Sequence, residues 1–544
     1  MTDMKSRLVQ FLQISICLVA LGVFLSFCQG RMNAIRTNER LTEVDVLENA
    51  PPLVAFTSVA LGGFRGVLAD LLWLRAVWEQ DKGNYFEMVQ LAEWILKLQP
   101  RNTDACAFLG WNMSYNISVT FTSFEDRWRW VKRGYELVRD EGLALNPGDP
   151  ELFRQLGWIF QHKMGQDMDD ANRYYKTEFA KEMIRLFAGY YGRWDDLLNA
   201  PVDEMKLRAA LGNKANDFWQ ILARHHFANF AAFEADFRER AVIHPEVAKE
   251  LEEQGILDTV EICLRYRWMS QKYLLDPVWL KRLNAKYGEL DWRLPQAHAI
   301  YWAERGRAHW LAEKDSFKRL SCDRMIFQAL NQAFQGGRLV YLKDNINFLE
   351  MTPNIKLVDA LNKVYQEAWE DHGEEAIGPA YGNFLTDAIV TLYKFGEKKK
   401  AEEYRKLGST YKRFGDKFTK LPLDEFVLKE LSSSLEAASY AQAQSTVQSY
   451  LINSYYQSAF GEDEVAASYA VLAKQLYDRY AKFVEGTEKR RGLPPFTQMA
   501  RTSLELTKQM VAKPLADILE EKKPRDKSEV FIPSAEDIKA PEVN

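Results

Sequence analysis

The sequence predicts an all-α chain built from helical hairpins and preceded by one membrane-spanning helix. Three observations predict it. Apolar residues recur with helical period over nearly everything after residue 64, as in Leu68, Leu71, Leu72, Val77 and Trp78. Glycine-containing turns and prolines punctuate that pattern, among them Gly83, Pro100, Pro147, Gly396 and Gly461. Finally, "LVQFLQISICLVALGVFLSFC", Leu8 to Cys28, carries no charge. As a helix it would span roughly 30 Å, the thickness of a bilayer's hydrocarbon core.

The elements follow in chain order. Residues 1–30 read as an N-terminal transmembrane anchor, with Lys5 and Arg7 ahead of it and no small-residue cleavage site behind it. Residues 31–63 read as a juxtamembrane linker. Its apolar stretch "PPLVAFTSVALGGF" is too short to span, and either lies at the membrane surface or packs under the first hairpin. Residues 64–190 read as successive hairpins: a helix to about Gln80 closed by "DKGN", then Tyr85–Leu98, Thr103–Ile117, Phe124–Leu145, Pro150–Lys163 and Asp169–Phe187. Residues 191–290 are helical by composition without clean hairpin spacing. In 291–378, Ala299, Trp302, Ala303, Gly306 and Trp310 form one helical stripe. Residues 379–512 hold two further hairpins with turns at Gly396 and Gly461, and 513–544, with scattered Pro and charge, read as a disordered tail.

Length and composition narrow the function classes. A chain of 544 residues exceeds one ordinary core. A net charge of −5 provides no global basic field, so no nucleic acid is expected as a partner. The basic run Lys394–Lys420 reads as a solvated helix face, with contact to anionic lipid, nucleic acid or an acidic partner as the competing reading. Five cysteines, two of them in the anchor, make no disulfide framework or metal-ligand spacing. His225 and His226 cannot face one point from a helix, and His298 and His309 have no third ligand nearby. "GQDMDDAN" offers Asp167, Asp169 and Asp170, but Asn172 stands where a calcium loop needs glycine, so an acidic helix N-terminus is the better reading. "NMS" and "NIS" place glycosylation acceptors Asn112 and Asn116 inside a helix. The sequence nominates no catalytic set, no metal site and no cofactor, so the chain is read as not an enzyme.

One motif repeats. "PRNTDACAFLGWNM" and "PGDPELFRQLGWIF" carry Leu109-Gly110-Trp111 and Leu156-Gly157-Trp158, 47 residues apart. In this the chain resembles the tetratricopeptide-repeat superfamily, whose hairpins of about 34 residues stack into a superhelix. With Gly110 and Gly157 at that family's small position, Cys106, Leu109, Met113 and Phe153, Leu156, Phe160 fall at its large apolar positions. Leu385, Ala388, Ile389, Leu392 and Ala401 fit likewise, and Pro100 and Pro147 fit the closing proline. The glycine would let the second helix of a hairpin approach the backbone of the first.

The resemblance implies a protein–protein scaffold with a concave groove. Its groove-facing positions here are Asp104, Trp111, Ser114, Arg154, Trp158 and Gln161, with burial of the tryptophans against a neighbouring hairpin as the competing reading. The expected function is a membrane-anchored scaffold in an envelope assembly, at a bacterial-type inner membrane with the bulk of the chain periplasmic. It would bind a protein partner; a small molecule is not the expected ligand. The alternative is a periplasmic or surface protein that stacks glycan rings on the groove tryptophans.

Overall fold

The computed structural model describes residues 64–99, 101–310, 317–342, 345–432, 440–485, 492–522 and 530–534, with isolated positions between 24 and 31. Among the described residues the fold is all-α, with one two-stranded sheet. The predicted anchor Leu8–Cys28 falls almost wholly outside the described residues, and among those residues no helix is long and apolar enough to cross a membrane. The chain divides into two compact units after Asn102, within the span 64–190 that the sequence reads as one series.

The described part of the first unit is a helix pair, α1 (Phe64–Asp81) and α2 (Tyr85–Leu98). Gly83 turns the chain at φ +77°, as the sequence predicts. Ala69 and Ala76 of α1 are buried, as are Met88, Leu91, Ala92 and Ile95 of α2, so small side chains on one helix receive large ones from the other. Arg75 and Glu87 form an ion pair across the two helices.

The second unit begins with α3 (Thr103–Asn112), α4 (Phe124–Glu136), α5 (Pro150–Trp158) and α6 (Asn172–Phe187). Local chemistry sets their starts. Ser123 caps α4, and Asp149 caps α5 by accepting from the Glu151 and Leu152 amides, with Pro150 in the first turn. Three of these helices do not simply stop. They widen into π-type turns at Met113–Ile117, Leu137–Gly142 and Ile159–Gly165. A π turn inserts an extra residue and re-aims the side chains it carries, and periodicity alone does not reveal it.

Glycine spacing explains the packing. A Cβ on Gly110 would lie 2.9 Å from the Gly134 carbonyl, and one on Gly134 would lie 2.6 Å from the Gly110 carbonyl and 2.2 Å from Ser114 Oγ. The two helices therefore cross backbone to backbone, which is the close approach the repeat implies. Gly157 serves a different neighbour. Its missing Cβ makes room for Ala299 and Ala303 of α7 (Pro295–Arg307), while Gly306 of α7 lies against Pro150 and Arg154. The stripe read from the sequence is thus used for a helix distant in sequence, and Gly157 does not serve the hairpin it belongs to.

Gly134→Ala tests the first crossing. Alanine is the better helix former by about 1 kcal/mol, so a permissive site would be stabilised. The overlap with backbone and Ser114 is instead expected to cost about 1–3 kcal/mol, read as a lower urea midpoint. A midpoint at or above wild type would remove the crossing from the account.

Between Trp194 and Tyr287 the chain makes seven short helices, of which Leu257–Lys272 is the longest. Arg265, buried at 2% exposure, donates to the carbonyls of Arg185, Leu186 and Ala241, and so neutralises the C-terminal end of α6. Beyond α7 lie α8 (Phe317–Gly336) and the strands β1 (Arg338–Leu342) and β2 (Asn345–Thr352), antiparallel with Val340 opposite Glu350. There follow α9 (Val358–His372), α10 (Glu374–Lys394), α11 (Lys398–Ser409), α12 (Tyr440–Ala459), α13 (Asp463–Glu485), α14 (Phe496–Met510) and α15 (Lys513–Glu521). The pairs α7/α8, α10/α11 and α12/α13 pack on each other, as predicted.

Within 513–544, which the sequence reads as a disordered tail, the described residues include a helix and packed side chains. In α15, Leu515 and Leu519 are buried in a core with Val447, Leu451, Tyr455 and Met499. Further on, Phe531 is buried there too, and its carbonyl accepts from the Tyr455 hydroxyl at 2.6 Å. Three apolar residues scattered among charges make no visible stripe, yet each has a prepared partner.

Candidate functional site

The two repeated tryptophans come together. Trp111 ends one turn before Tyr115, and their rings stack at 5.6 Å. Trp158 and His162 are likewise four residues apart and stack at 4.4 Å with planes 12° apart. Tyr115 and His162 then join the halves: the rings lie 5.7 Å apart and the Tyr115 hydroxyl meets His162 Nδ1 at 3.1 Å. The result is one row, Trp111–Tyr115–His162–Trp158, in which all four rings are half-buried.

Each half is built the same way. A tryptophan in the last turn of a helix is followed by a ring in the adjoining π turn. The halves are 47 residues apart at both positions, so the join is a property of the repeat. Sequence reasoning names the tryptophans and misses Tyr115 and His162. The signal that finds them is the shared spacing, Trp-x-x-x-aromatic, in both copies.

The electrostatics behind the row are tightly arranged. Burial first, and the charge of Lys163 second, hold the His162 imidazole below its ordinary value, so it is neutral at physiological pH. Burial pushes the Tyr115 phenol far above its usual range, so the hydroxyl keeps its proton. With its own proton on Nε2, the imidazole accepts the Tyr115 hydrogen at Nδ1.

Lys163, 5% exposed, lies 5.4 Å over the Tyr115 ring and 5.9 Å over the Tyr175 ring. Its ammonium pairs with Asp169 at 2.5 Å, and Arg127 pairs with the other oxygen of Asp169 at 2.6 Å. Burial drives the Lys163 amine down, and Asp169 only partly offsets it. For Asp169 burial acts upward, but bonds from Lys163 and the Ala171 amide, with the charges of Lys163 and Arg127, outweigh it and hold the carboxyl below its usual range. "GQDMDDAN" is therefore a set of counterions: Asp167 pairs with Lys176, Asp169 with Lys163, and Asp170 with Arg127. No cluster suited to a metal ion occurs among the described residues.

The six groove positions separate. Trp111 and Trp158 stand in the row. Asp104 is exposed in the first turn of α3, and Arg154, half-buried, binds Glu151. Ser114 and Gln161 face inward at 0% exposure; Ser114 donates to the Gly110 carbonyl at 2.8 Å inside the crossing with Gly134. Each lies four residues after a packed glycine, Gly110 or Gly157, so helical spacing puts it on the same inward face.

Other sequence features find structural work. Cys106, Cys263 and Cys322 are buried and free, with thiols pushed up to about 12 by burial. His225 binds Glu250 at 2.8 Å. In the basic run, Lys400 pairs with Asp359, Arg405 with Glu402 and Lys417 with Glu430. A cleft of about 710 Å³ lies elsewhere, walled in part by Tyr191, Trp194, Arg293 and Arg338. Within it Arg338 pairs with Glu462, and Asp291 and Arg293 bind each other and the Leu339 amide and carbonyl on the edge of β1. None of the six named positions lines that cleft.

Comparison of the chain with family models, with curated proteins and with solved structures finds no match.

Proposed function

We propose that this chain is a tetratricopeptide-like helical scaffold, held at a membrane by Leu8–Cys28, that docks a protein segment along the row Trp111–Tyr115–His162–Trp158. The observation that carries the reading is the row itself. Four rings from two successive repeats share one line, each with part of its surface open, fixed from behind by a hydrogen bond and a buried ion cluster. Rigid, half-open aromatic surface is what an interface anchor requires, since little ordering cost remains on binding.

The row suits an extended segment that lays proline, aliphatic or aromatic side chains across the rings. Neutral His162 adds no charge, and Lys163 is already paired, so an acidic partner gains nothing there. In this reading the bulk of the chain occupies the periplasmic side of a bacterial-type inner membrane.

The test uses the full chain, with a photocrosslinking residue at half-buried Arg154 and, as control, at Met205, which is 80% exposed in the same unit. Crosslinks to one protein from Arg154, absent from Met205, are expected. Trp158→Ala is expected to reduce them by about tenfold or more, the loss typical of an anchor residue. Trp111→Ala should act in the same direction. If saturable tryptophan quenching answers to oligosaccharides and not to peptides, with crosslinks unchanged in Trp158→Ala, the row is a glycan platform and the scaffold reading falls.

A further inference from the structure

The first unit exposes a broad apolar face. On α1, Val67, Leu71, Leu74 and Trp78 recur at i, i+4, i+7 and i+11, one continuous stripe, and Leu74 and Trp78 are 68% and 59% exposed. Phe86, at 60%, and Trp94 of α2 are exposed as well. The opposite side of α1 carries Ala69 and Ala76, which are buried. This helix is therefore apolar on both sides, and packing with α2 accounts for only the small-residue side.

A hairpin that opens a repeat series ordinarily carries a polar outer face, because nothing follows to cover it. This one carries its largest apolar side chains there. Contiguous exposed apolar surface of this kind marks a site of association.

We infer that this face lies in the interfacial layer of the bilayer that holds Leu8–Cys28. The inference rests on the anchored reading and adds a second contact to it. Three observations select lipid as the occupant. The sequence running into α1, Asn49 to Phe64, carries no charge, so the face continues an apolar stretch that ends where the hairpin begins. Residues 29–63 tether the hairpin to the anchor and keep it near the surface the anchor would cross. Third, α1 carries Arg65, Asp70, Arg75, Glu79 and Asp81, too many charges to span; Asp70 and Arg75 flank the stripe and Asp81 closes its C-terminal end. Large apolar residues on one face, a tryptophan among them, with charges along its flanks and end, is the composition of a helix lying in the interface. Lys82 fits the same arrangement, its ammonium 3.2 Å over the Trp78 ring at the end of the stripe.

The test reconstitutes the full chain into phosphatidylcholine–phosphatidylglycerol vesicles containing a phospholipid with a diazirine on its acyl chain. After photolysis, adducts are mapped by mass spectrometry. The expected result is adducts on Leu8–Cys28 and on Val67, Leu71, Leu74 and Trp78, with Asp70 and the second unit unlabelled. Leu74→Glu, at a position too exposed to threaten folding, is expected to remove most of the stripe's adducts and leave those on the anchor. Adducts on the anchor with none on the stripe would overturn the inference while leaving the anchor intact, and would point to a protein cover. Adducts nowhere would overturn the anchored reading and this inference with it. Equal labelling around Met205 would show adventitious reaction and overturn the assignment.

Discussion

Asp169→Asn is expected to destabilise the second unit by about 3–5 kcal/mol, the cost of removing one partner from a buried ion pair. Lys163 is 5% exposed and Arg127 9%, and Asp169 offers one oxygen to each. An asparagine keeps one acceptor, turns an amide donor toward the other cation, and leaves Lys163 buried without a countercharge, while Arg127 keeps only the exposed Asp170. The same carboxylate accepts from the Tyr175 hydroxyl and the Ala171 amide, so the start of α6 loosens as well. Asp170→Asn is the control. Asp170 binds the same arginine but its side chain is 72% exposed, and such pairs contribute about 0–1 kcal/mol. Urea denaturation of the detergent-solubilised chain reads both. Equal midpoints for the two variants would show that the cluster behind the row is not a structural keystone.

The sign with pH follows from the direction of the shift. The folded Asp169 carboxyl lies below the unfolded one, so its stabilisation is complete above about 3.9, the ordinary aspartate value, and is lost as pH falls through the lower folded value. Wild type and Asp169→Asn should therefore converge only in strong acid.

Acid sensitivity in a higher window is expected from His298. It is 2% exposed, boxed by the rings of Phe160, Phe179 and Trp292, and its Nε2–H donates to the Trp292 carbonyl at 2.9 Å. Burial lowers its pKa to about 4, against a smaller opposing effect of the Trp292 bond; the charge of Arg139 adds to the lowering. Above about 6.5 the imidazole is neutral in both folded and unfolded chains, and contributes nothing to pH dependence. Between about 6.5 and 4 the unfolded chain takes up a proton that the folded chain excludes, so stability falls as pH falls. The shift corresponds to on the order of 3 kcal/mol across that window. His162, also lowered, acts in the same direction. His298→Gln keeps a donor for the Trp292 carbonyl and has nothing to protonate. Its midpoint should change far less than wild type between pH 7.5 and 4.5. If the two slopes coincide, His298 is not the group responsible.

How much of this was legible in the sequence depends on the range of each interaction. The α1/α2, α10/α11 and α12/α13 pairs were readable, because a helix pair joined by a glycine turn is written locally. The tryptophans of the row were readable because the motif repeats. Tyr115 and His162 were there to be seen in the same register, but a Tyr in one copy and a His in the other do not look alike. Ser114 and Gln161 were assigned to the groove by the resemblance, yet each lies four residues after a packed glycine and is buried with it. The small sheet was missed since eight residues of β2 alternate weakly and its partner edge is closed by side chains, Asp291 and Arg293, rather than by a third strand. Most of all, no periodicity shows that the small residues of α7 are matched to Gly157.

That last pairing bears on how the chain is made. The helix that displays Trp158 lies against Ala299 and Ala303, residues that leave the ribosome well after it does. At roughly 5–20 residues per second, Gly157 waits on the order of ten seconds or more for its neighbour. A nascent chain stopped near residue 290 would hold α5 with its inner face open to solvent. The aromatic row is thus among the later parts of the second unit to become rigid, although its rings are among the earliest synthesised. Ribosome-bound chains of increasing length should gain protease protection around Trp158 only after α7 emerges.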